Sequence, residues 1–374
     1  MKKYSPKRRL RDVKRTIVER KRVSKPNKGK RRISSVTVER FNRSAMAALE
    51  EGVKYEISAT YHVTVYLPRQ MNLSSSFYET MKTLRCIRIL SESPRLGKAL
   101  KLGLVAFDEL QAISSSAALL LTAELSKWDD AVRNRLIPRL DSWDKEVLAR
   151  FLSLGFFDLF PNSKIKKASQ PEKSGVKFVQ YLKGNKNSKD YKRLKAELSK
   201  CAGQQIEKWA FLQGGLDEAI TNVGHHAYPD SCKIDLNDQN WYMTGAYDPA
   251  SKELKIVFCD QGIGIPASLP NSKIWEHVVS FLSKITQNQQ ISDRQLIRAA
   301  MEARRSRTGQ SDRGKGLPDM KEFIRQRNAG YLTIMSGHGM YKYTVSGGEE
   351  SSRTDKLDPP ILGTLIIWKV ELSP

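Results

Sequence analysis

The sequence predicts an α/β (α+β) protein with two folded regions, and three observations carry that prediction. Apolar residues recur at helical spacing through residues 216–228. An apolar run at 256–259 stops at an acid and two nearby glycines. Between residues 44 and 160, strand-like and helix-like stretches alternate. With 40% hydrophobic residues the chain can fill real cores, which excludes global disorder. No apolar run approaches the roughly 20 residues that span a bilayer. The longest, residues 117–125, is broken by Thr122 and Glu124. The N-terminus is basic and has no apolar segment of the signal type, so a cytoplasmic location and no membrane partner are expected.

Within residues 216–228, Glu218, Asn222 and His226 follow at intervals of four, which stacks a carboxylate, an amide and an imidazole along one helical face. Leu216, Ile220 and Val223 supply an apolar stripe that would seat the helix on a sheet. Alone, the polar line is either a solvated face or a site. The run at 256–259 reads as a buried strand, and it fixes the carboxylate of Asp260 at its end. Gly262 and Gly264 then let backbone approach a flat ligand closely. Further on, Arg313-Gly314-Lys315-Gly316-Leu317 opens a helical pattern at 318–327. A glycine turn entering a helix offers free N–H groups to phosphate. Thr364 follows Gly363 inside a late strand at 361–370.

Four boxes of these residue types in this order resemble the GHKL ATPase superfamily, over residues 194–374. The resemblance implies a Bergerat-fold α/β sandwich at 200–374 that binds ATP and Mg2+. Carried over residue by residue, it makes Glu218 the general base and Asn222 the magnesium ligand, with His226 beside the nucleotide. Asp260 would accept from the adenine amino group, Gly262 and Gly264 would shape its pocket, and Thr364 would lie beside the base. Gly314, Lys315, Gly316 and Leu317 would hold phosphates. Residues 271–307 fall where that superfamily has its mobile lid, and Arg304, Arg305, Arg307 and Thr308 at its end either reach a γ-phosphate or are solvated. The phrase from Asn222 to Tyr228, ending His-Ala-Tyr, is most similar to the anti-sigma-factor serine kinases of the superfamily.

Residues 55–67 alternate and read as one strand, 74–91 as a helix and 102–107 as a second strand. Helical patterns follow at 132–140 and 145–154. Ser114, Ser115 and Ser116 sit where a strand enters a helix, so they are N-cap candidates. The order of strand, serine-rich turn and helix resembles a STAS domain, set at 44–160. That resemblance implies Ser116, with Ser115 next, as the candidate phosphoacceptor of a GHKL partner kinase. Ser114 and Ala117 stand where the family has an acid and a glycine. Residues 161–199, rich in Lys, Asn and Ser, read as a linker with a connecting helix.

Cys86, Cys201, Cys232 and Cys259 have no metal-ligand spacing and read as reduced thiols. A sensor histidine kinase needs a phosphoacceptor His followed by an acid upstream of the asparagine box. His62, followed by Val63 and Thr64 in a strand pattern, is the only upstream histidine, which excludes that class. His225 and His277 read as structural or surface residues.

Two function classes remain. One is an ATPase or serine-kinase-like regulatory protein in which lid closure signals to the STAS-like domain. The other is a nucleotide-gated interaction protein with negligible turnover, tethered by its arm to nucleic acid or a partner complex. A protein partner is expected in either case. The arm, residues 1–43, reads as basic and flexible. Residues 1–40 hold 17 Lys or Arg against Asp12, Glu19 and Glu39, a local charge of +14 of the chain's +24. Such charge attracts nucleic acid through counterion release, or else serves only as a solubilising tail. Full-length protein is expected to bind DNA and RNA without sequence preference, losing about 10³-fold in affinity between roughly 50 and 200 mM salt if about six phosphates are neutralised. Fluorescence anisotropy on protein lacking residues 1–40 should show that binding gone; equal binding would make the arm a solubilising tail.

Overall fold

Strands and helices alternate along most of the computed structural model, which describes residues 35–94, 97–126, 140–159, 175–185, 191–230, 239–272, 274–285, 291–302 and 317–372. The fold is mixed α/β, with several sheets. The described residues divide into two compact units. One extends to Tyr181 and takes in Thr244–Ala250; the other comprises Leu182–Met243 and Ser251–Pro374. Among the described residues no helix is long and apolar enough to cross a membrane.

The first unit opens with helix α1 (Ser35–Glu50), so the last residues expected in the flexible arm belong to a helix. Residues 1–34 lie outside the described residues. The helix forms because Ala45, Ala48 and Leu49 are buried on one side. The Asn42 amide then pins it, donating to Lys98 O (2.9 Å) and accepting from Leu100 N (2.9 Å).

Residues 55–67, expected as one strand, are two: β1 (Tyr55–Ile57) and β2 (His62–Tyr66), paired antiparallel. The reversal comes from Ser58, whose Oγ accepts from His62 N (3.1 Å), and from Tyr61, which adopts a φ of 62°. A serine oxygen offering the backbone an alternative partner is a turn signal that alternation hides. After β3 (Gln70–Met71), helix α2 (Phe77–Ser91) crosses to β4 (Lys101–Ala106), which lies parallel to β2 in the sheet β1-β2-β4. Strand β5 (Ala112–Ile113) pairs in parallel with β3 and leads into α3 (Ser115–Leu125).

Helix α3 is buried on every side, as its Ala-Ala-Leu-Leu-Leu core dictates. Its one acid, Glu124, is 3% exposed and accepts from Arg88 Nε of α2 (3.1 Å), so the buried charge is paired. Helix α4 (Lys145–Ser153) follows, and Phe107, Trp143, Phe151, Phe156 and Phe157 pack ring on ring beside it. The helix expected at 132–140 falls almost entirely outside the described residues.

Within the expected linker, Lys177–Gly184 forms strand β6 and Tyr191–Ala202 forms helix α5. Burial along β6 does not alternate, since Val179 and Leu182 are buried while Lys177, Gln180 and Lys183 are exposed, so the two-residue period that marks a half-buried strand is missing. Next along the chain come α6 (Trp209–Asn222), β7 (Trp241–Asp248), β8 (Glu253–Asp260), the single turn α7 (Ile265–Ser268), α8 (Trp275–Ile285) and α9 (Asp293–Glu302). A 3-10 turn at Leu317–Lys321 passes into α10 (Glu322–Arg327). The long hairpin β9 (Gly330–Ser346) and β10 (Glu349–Glu371) follows. The five-stranded sheet has the order β6-β7-β8-β10-β9.

Strand β10 lies antiparallel to β8 with Asp260 opposite Thr364, Phe258 opposite Ile366 and Ile256 opposite Trp368, so these side chains share one face. On that face Trp368 is fully buried and its Nε1 donates to Met320 O (3.0 Å), which locks the 3-10 turn onto the sheet. Helix α6 packs on that turn and on α10. Within the stretch expected as a lid, α9 is part of the core. Leu296, Ile297, Ala299, Ala300 and Met301 are buried, and Asp293 Oδ2 accepts from His338 N of β9 (2.8 Å).

The N-cap of α3 is Ser114, whose Oγ accepts from Ala117 N (3.3 Å). Ser114→Ala should lower stability by about 1 kcal/mol, the usual worth of such a cap, read as a shift of the urea midpoint at unchanged slope. An unchanged midpoint would assign the cap no energetic role.

Candidate functional site

Stretches far apart in sequence close around one cavity of about 470 Å³ in the second unit. Its strand side is the register just described: Phe258 and Asp260 of β8 beside Ile366 and Thr364 of β10. Its helix side is the last turn of α6, with Glu218, Ala219 and Asn222, continued by His225, His226 and Ala227. Ile265, Ser268 and Leu269 close it after the glycine turn, and Leu317 and Met320 after the 3-10 turn begins. The lining thus joins apolar surface to many polar groups, Thr221, Asn271 and Ser272 among them, and polar groups that converge on an apolar surface can hold a small molecule.

On the strand side, Asp260 is 5% exposed. Its Oδ1 accepts from Gly262 N (2.8 Å), an Asx turn that ends the strand and orients the carboxylate. Gly262 does not line the cavity but makes the turn possible, since a Cβ there would stand 2.3 Å from Ala227 O. The neighbouring Ile263 N donates to that same carbonyl (2.9 Å). Gly264 lines the cavity at a φ of +79°, where side chains are strained. Behind it sits Ser336 of β9, fully buried. Its Oγ accepts from Ile265 N (2.9 Å), donates to Gly363 O (2.9 Å) and lies 3.3 Å from Thr364 Oγ1.

On the helix side, Asn222 Nδ2 donates to Glu218 Oε1 (3.1 Å), so the expected i, i+4 pair is made. The helix then widens: Val223–Ala227 is a π turn, a form concentrated at functional sites. With it His225, read from sequence as structural or surface, joins His226 on the cavity wall, their ring centroids 5.9 Å apart. Burial, and secondarily His225, push the His226 pKa below its ordinary value.

Tyr228 ends the turn. Its hydroxyl accepts from Gln261 N (3.0 Å) and donates to Asn240 O (2.9 Å). Burial, with Asp260 nearby, raises its pKa, so the hydroxyl keeps its proton.

Glu218, Asn222, His226, Asp260, Gly264, Leu317 and Thr364 thus share one cavity. Thr308, Gly314, Lys315 and Gly316 lie outside the described residues, as do Arg304, Arg305 and Arg307. Ser115 and Ser116 belong to the first unit and are 8% and 2% exposed, so neither hydroxyl is open to a phosphate donor in this conformation. Sequence reasoning missed Ser336 and gave Tyr228 no role. Ser336 carries no local signal, while Tyr228 had one, as a tyrosine closing the polar helix. Among the described residues no group of three or more His, Cys, Asp or Glu side chains is placed to hold a metal ion. Were Mg2+ bound here, the Asn222 amide oxygen would hold it together with oxygens of its ligand, a donor set that suits a hard ion. No family model, curated protein or solved structure matches this chain.

A histidine whose folded pKa is lowered takes up its proton more readily in the unfolded chain. Its contribution to stability is therefore complete above the ordinary pKa of 6.5 and is lost as pH falls through the folded value. The melting temperature should drop between pH 7 and 5, and His226→Gln should flatten that drop. Identical profiles for the two proteins would show that His226 does not titrate against burial.

Proposed function

We propose that residues 200–374 form a nucleotide-binding domain of the GHKL class, which takes ATP with Mg2+, and that the chain is an ATPase or serine-kinase-like regulatory protein. The observation that carries this reading is the cross-strand pair Asp260 and Thr364, set in one cavity with the Glu218 and Asn222 pair of α6. A buried carboxylate accepts from the exocyclic amino group of adenine, whereas guanine would set a carbonyl against it. Phe258, Ile265, Leu269, Met320 and Ile366 give the base an apolar bed. The cavity volume suits a ligand of this size.

Glu218 takes the proton from the attacking oxygen, of water or of a protein serine. That oxygen bonds to the γ-phosphorus as the bond to the β,γ-bridging oxygen breaks, and ADP leaves with the electron pair. The Asn222 amide oxygen and the phosphates would hold Mg2+, which would supply charge neutralisation. Gly314, Lys315, Gly316 and Thr308 complete the phosphate site in this reading. Residues 44–160 act as a STAS-like receiver of lid closure, and residues 1–40 tether the protein to nucleic acid.

Incubation with γ-labelled ATP and Mg2+ tests it. Label in free phosphate supports the ATPase and label on a protein serine supports the kinase. Label in neither place, with ATP still bound, supports the nucleotide-gated interaction protein. Glu218→Ala should keep nucleotide and lose turnover, while Asp260→Asn should weaken ATP binding by about 10- to 100-fold, the worth of one charged hydrogen bond. Unchanged calorimetric affinity in Asp260→Asn would remove the adenine assignment.

A further inference from the structure

The helix side and the strand side of the cavity meet at one junction. The π turn ends at Ala227, whose carbonyl accepts from Ile263 N (2.9 Å) and stands where a Cβ on Gly262 would fall. One residue on, the Tyr228 hydroxyl spans the ends of two strands. It accepts from Gln261, immediately after Asp260, and donates to Asn240, immediately before β7. One phenol thus uses its donor and an acceptor position on backbone groups that frame Asp260. Its own backbone continues the segment that carries Asn222 and His226. Ala227 is buried, Asp260 and Asn240 are 5% and 7% exposed, and no side chain at position 262 could relax the contact. A displacement of the π turn is therefore transmitted to the strand end through short, directional bonds rather than through solvent.

We propose that Tyr228 is a positioning residue that makes the two sides of the cavity a single unit. Occupancy beside Glu218 and Asn222 then fixes the orientation of Asp260, and occupancy at Asp260 fixes the π turn. The ligand consequence rests on the nucleotide reading above; the clamp itself does not. For a nucleotide, the gain in affinity conferred by a divalent cation and the gain conferred by the base are coupled, and the hydroxyl carries that coupling. By linkage the effect is reciprocal.

Two measurements on the full chain with Tyr228→Phe separate these claims. In ligand-free protein, amide exchange at Gln261 should accelerate at least tenfold in the variant. Unchanged exchange at Gln261 overturns the clamp, whatever the cavity binds. If Tyr228→Phe melts too early to compare, difluorotyrosine at position 228 serves, because its more acidic hydroxyl is a poorer acceptor without change of shape. Exchange at Gln261 should then rise in the same direction, and unchanged exchange would again overturn the clamp.

Calorimetry with ATP, in excess Mg2+ and in chelator, gives the second readout. In wild-type protein the losses caused by Asn222→Ala and by Asp260→Asn should be non-additive. In the Tyr228→Phe background they should become additive, and the Mg2+-dependent gain should shrink several-fold. A variant that is only less stable, with the same non-additivity as wild type, overturns the proposed coupling. Absence of ATP binding by wild-type protein would instead end the nucleotide reading and leave the exchange result to decide the clamp.

Discussion

The arrangement of the second unit depends on the register between β8 and β10. Because side chains alternate along a strand, a slip of one residue would turn Thr364, Ile366 and Trp368 of β10 away from the face that carries Asp260 and Phe258 of β8. The register is held where burial is greatest. Trp368 cannot leave the interior without breaking its bond to the Met320 carbonyl, and Ile256 lies opposite it. The same residues that build the core beneath α6 therefore decide which groups reach the cavity a few residues away. At its other end the register meets Gly363, whose φ of +89° and near contact with the Asp260 carbonyl admit no side chain. Core packing and ligand chemistry are here one constraint, read at two ends of a strand pair.

Facing this rigid floor is a wall of a different kind. Helix α6 is regular through Asn222, and the change to π geometry begins at Val223, beyond the Glu218 and Asn222 pair. A widened turn costs hydrogen-bond quality and persists where surrounding contacts over-determine it. The contacts of Ala227 and Tyr228 with the glycine turn are of that kind. The wall is thus regular where a carboxylate and an amide must be held in step, and irregular where two imidazoles are brought to the same surface.

Much of the cavity was legible in the sequence because its signals are local. Four-residue spacing on an apolar helix sets Glu218 and Asn222 on one face, where alone they read equally as a solvated face or a site, and an apolar run ending in Asp-Gln-Gly-Ile-Gly places the Asp260 carboxylate at a strand end. What stayed hidden depends on partners distant in the chain. Ser336 is a small polar residue amid an apolar strand, and its meaning comes only from Ile265 and Gly363, 71 and 27 residues away. The π turn leaves no trace in Val-Gly-His-His-Ala. In the first unit, the reversal at Ser58 was overlooked because strand alternation continues straight through it. Strand β6 carries no such alternation, since its buried Val179 and Leu182 fall three residues apart among exposed lysines, a composition that a linker shares.

The burial of α3 has a consequence for any enzyme that would act on its first turn. Ser115 and Ser116 lie inside a helix enclosed on every side and capped by Ser114, with the Arg88 and Glu124 ion pair holding its far end against α2. A modifying enzyme could reach these hydroxyls only in molecules whose helix start had transiently opened. The rate of modification would then be the opening frequency multiplied by the capture probability, and tighter docking elsewhere on the surface would not raise its ceiling. Such a site records how often a domain loosens rather than how much enzyme surrounds it, and a covalent mark placed there would hold open what thermal motion had only briefly exposed.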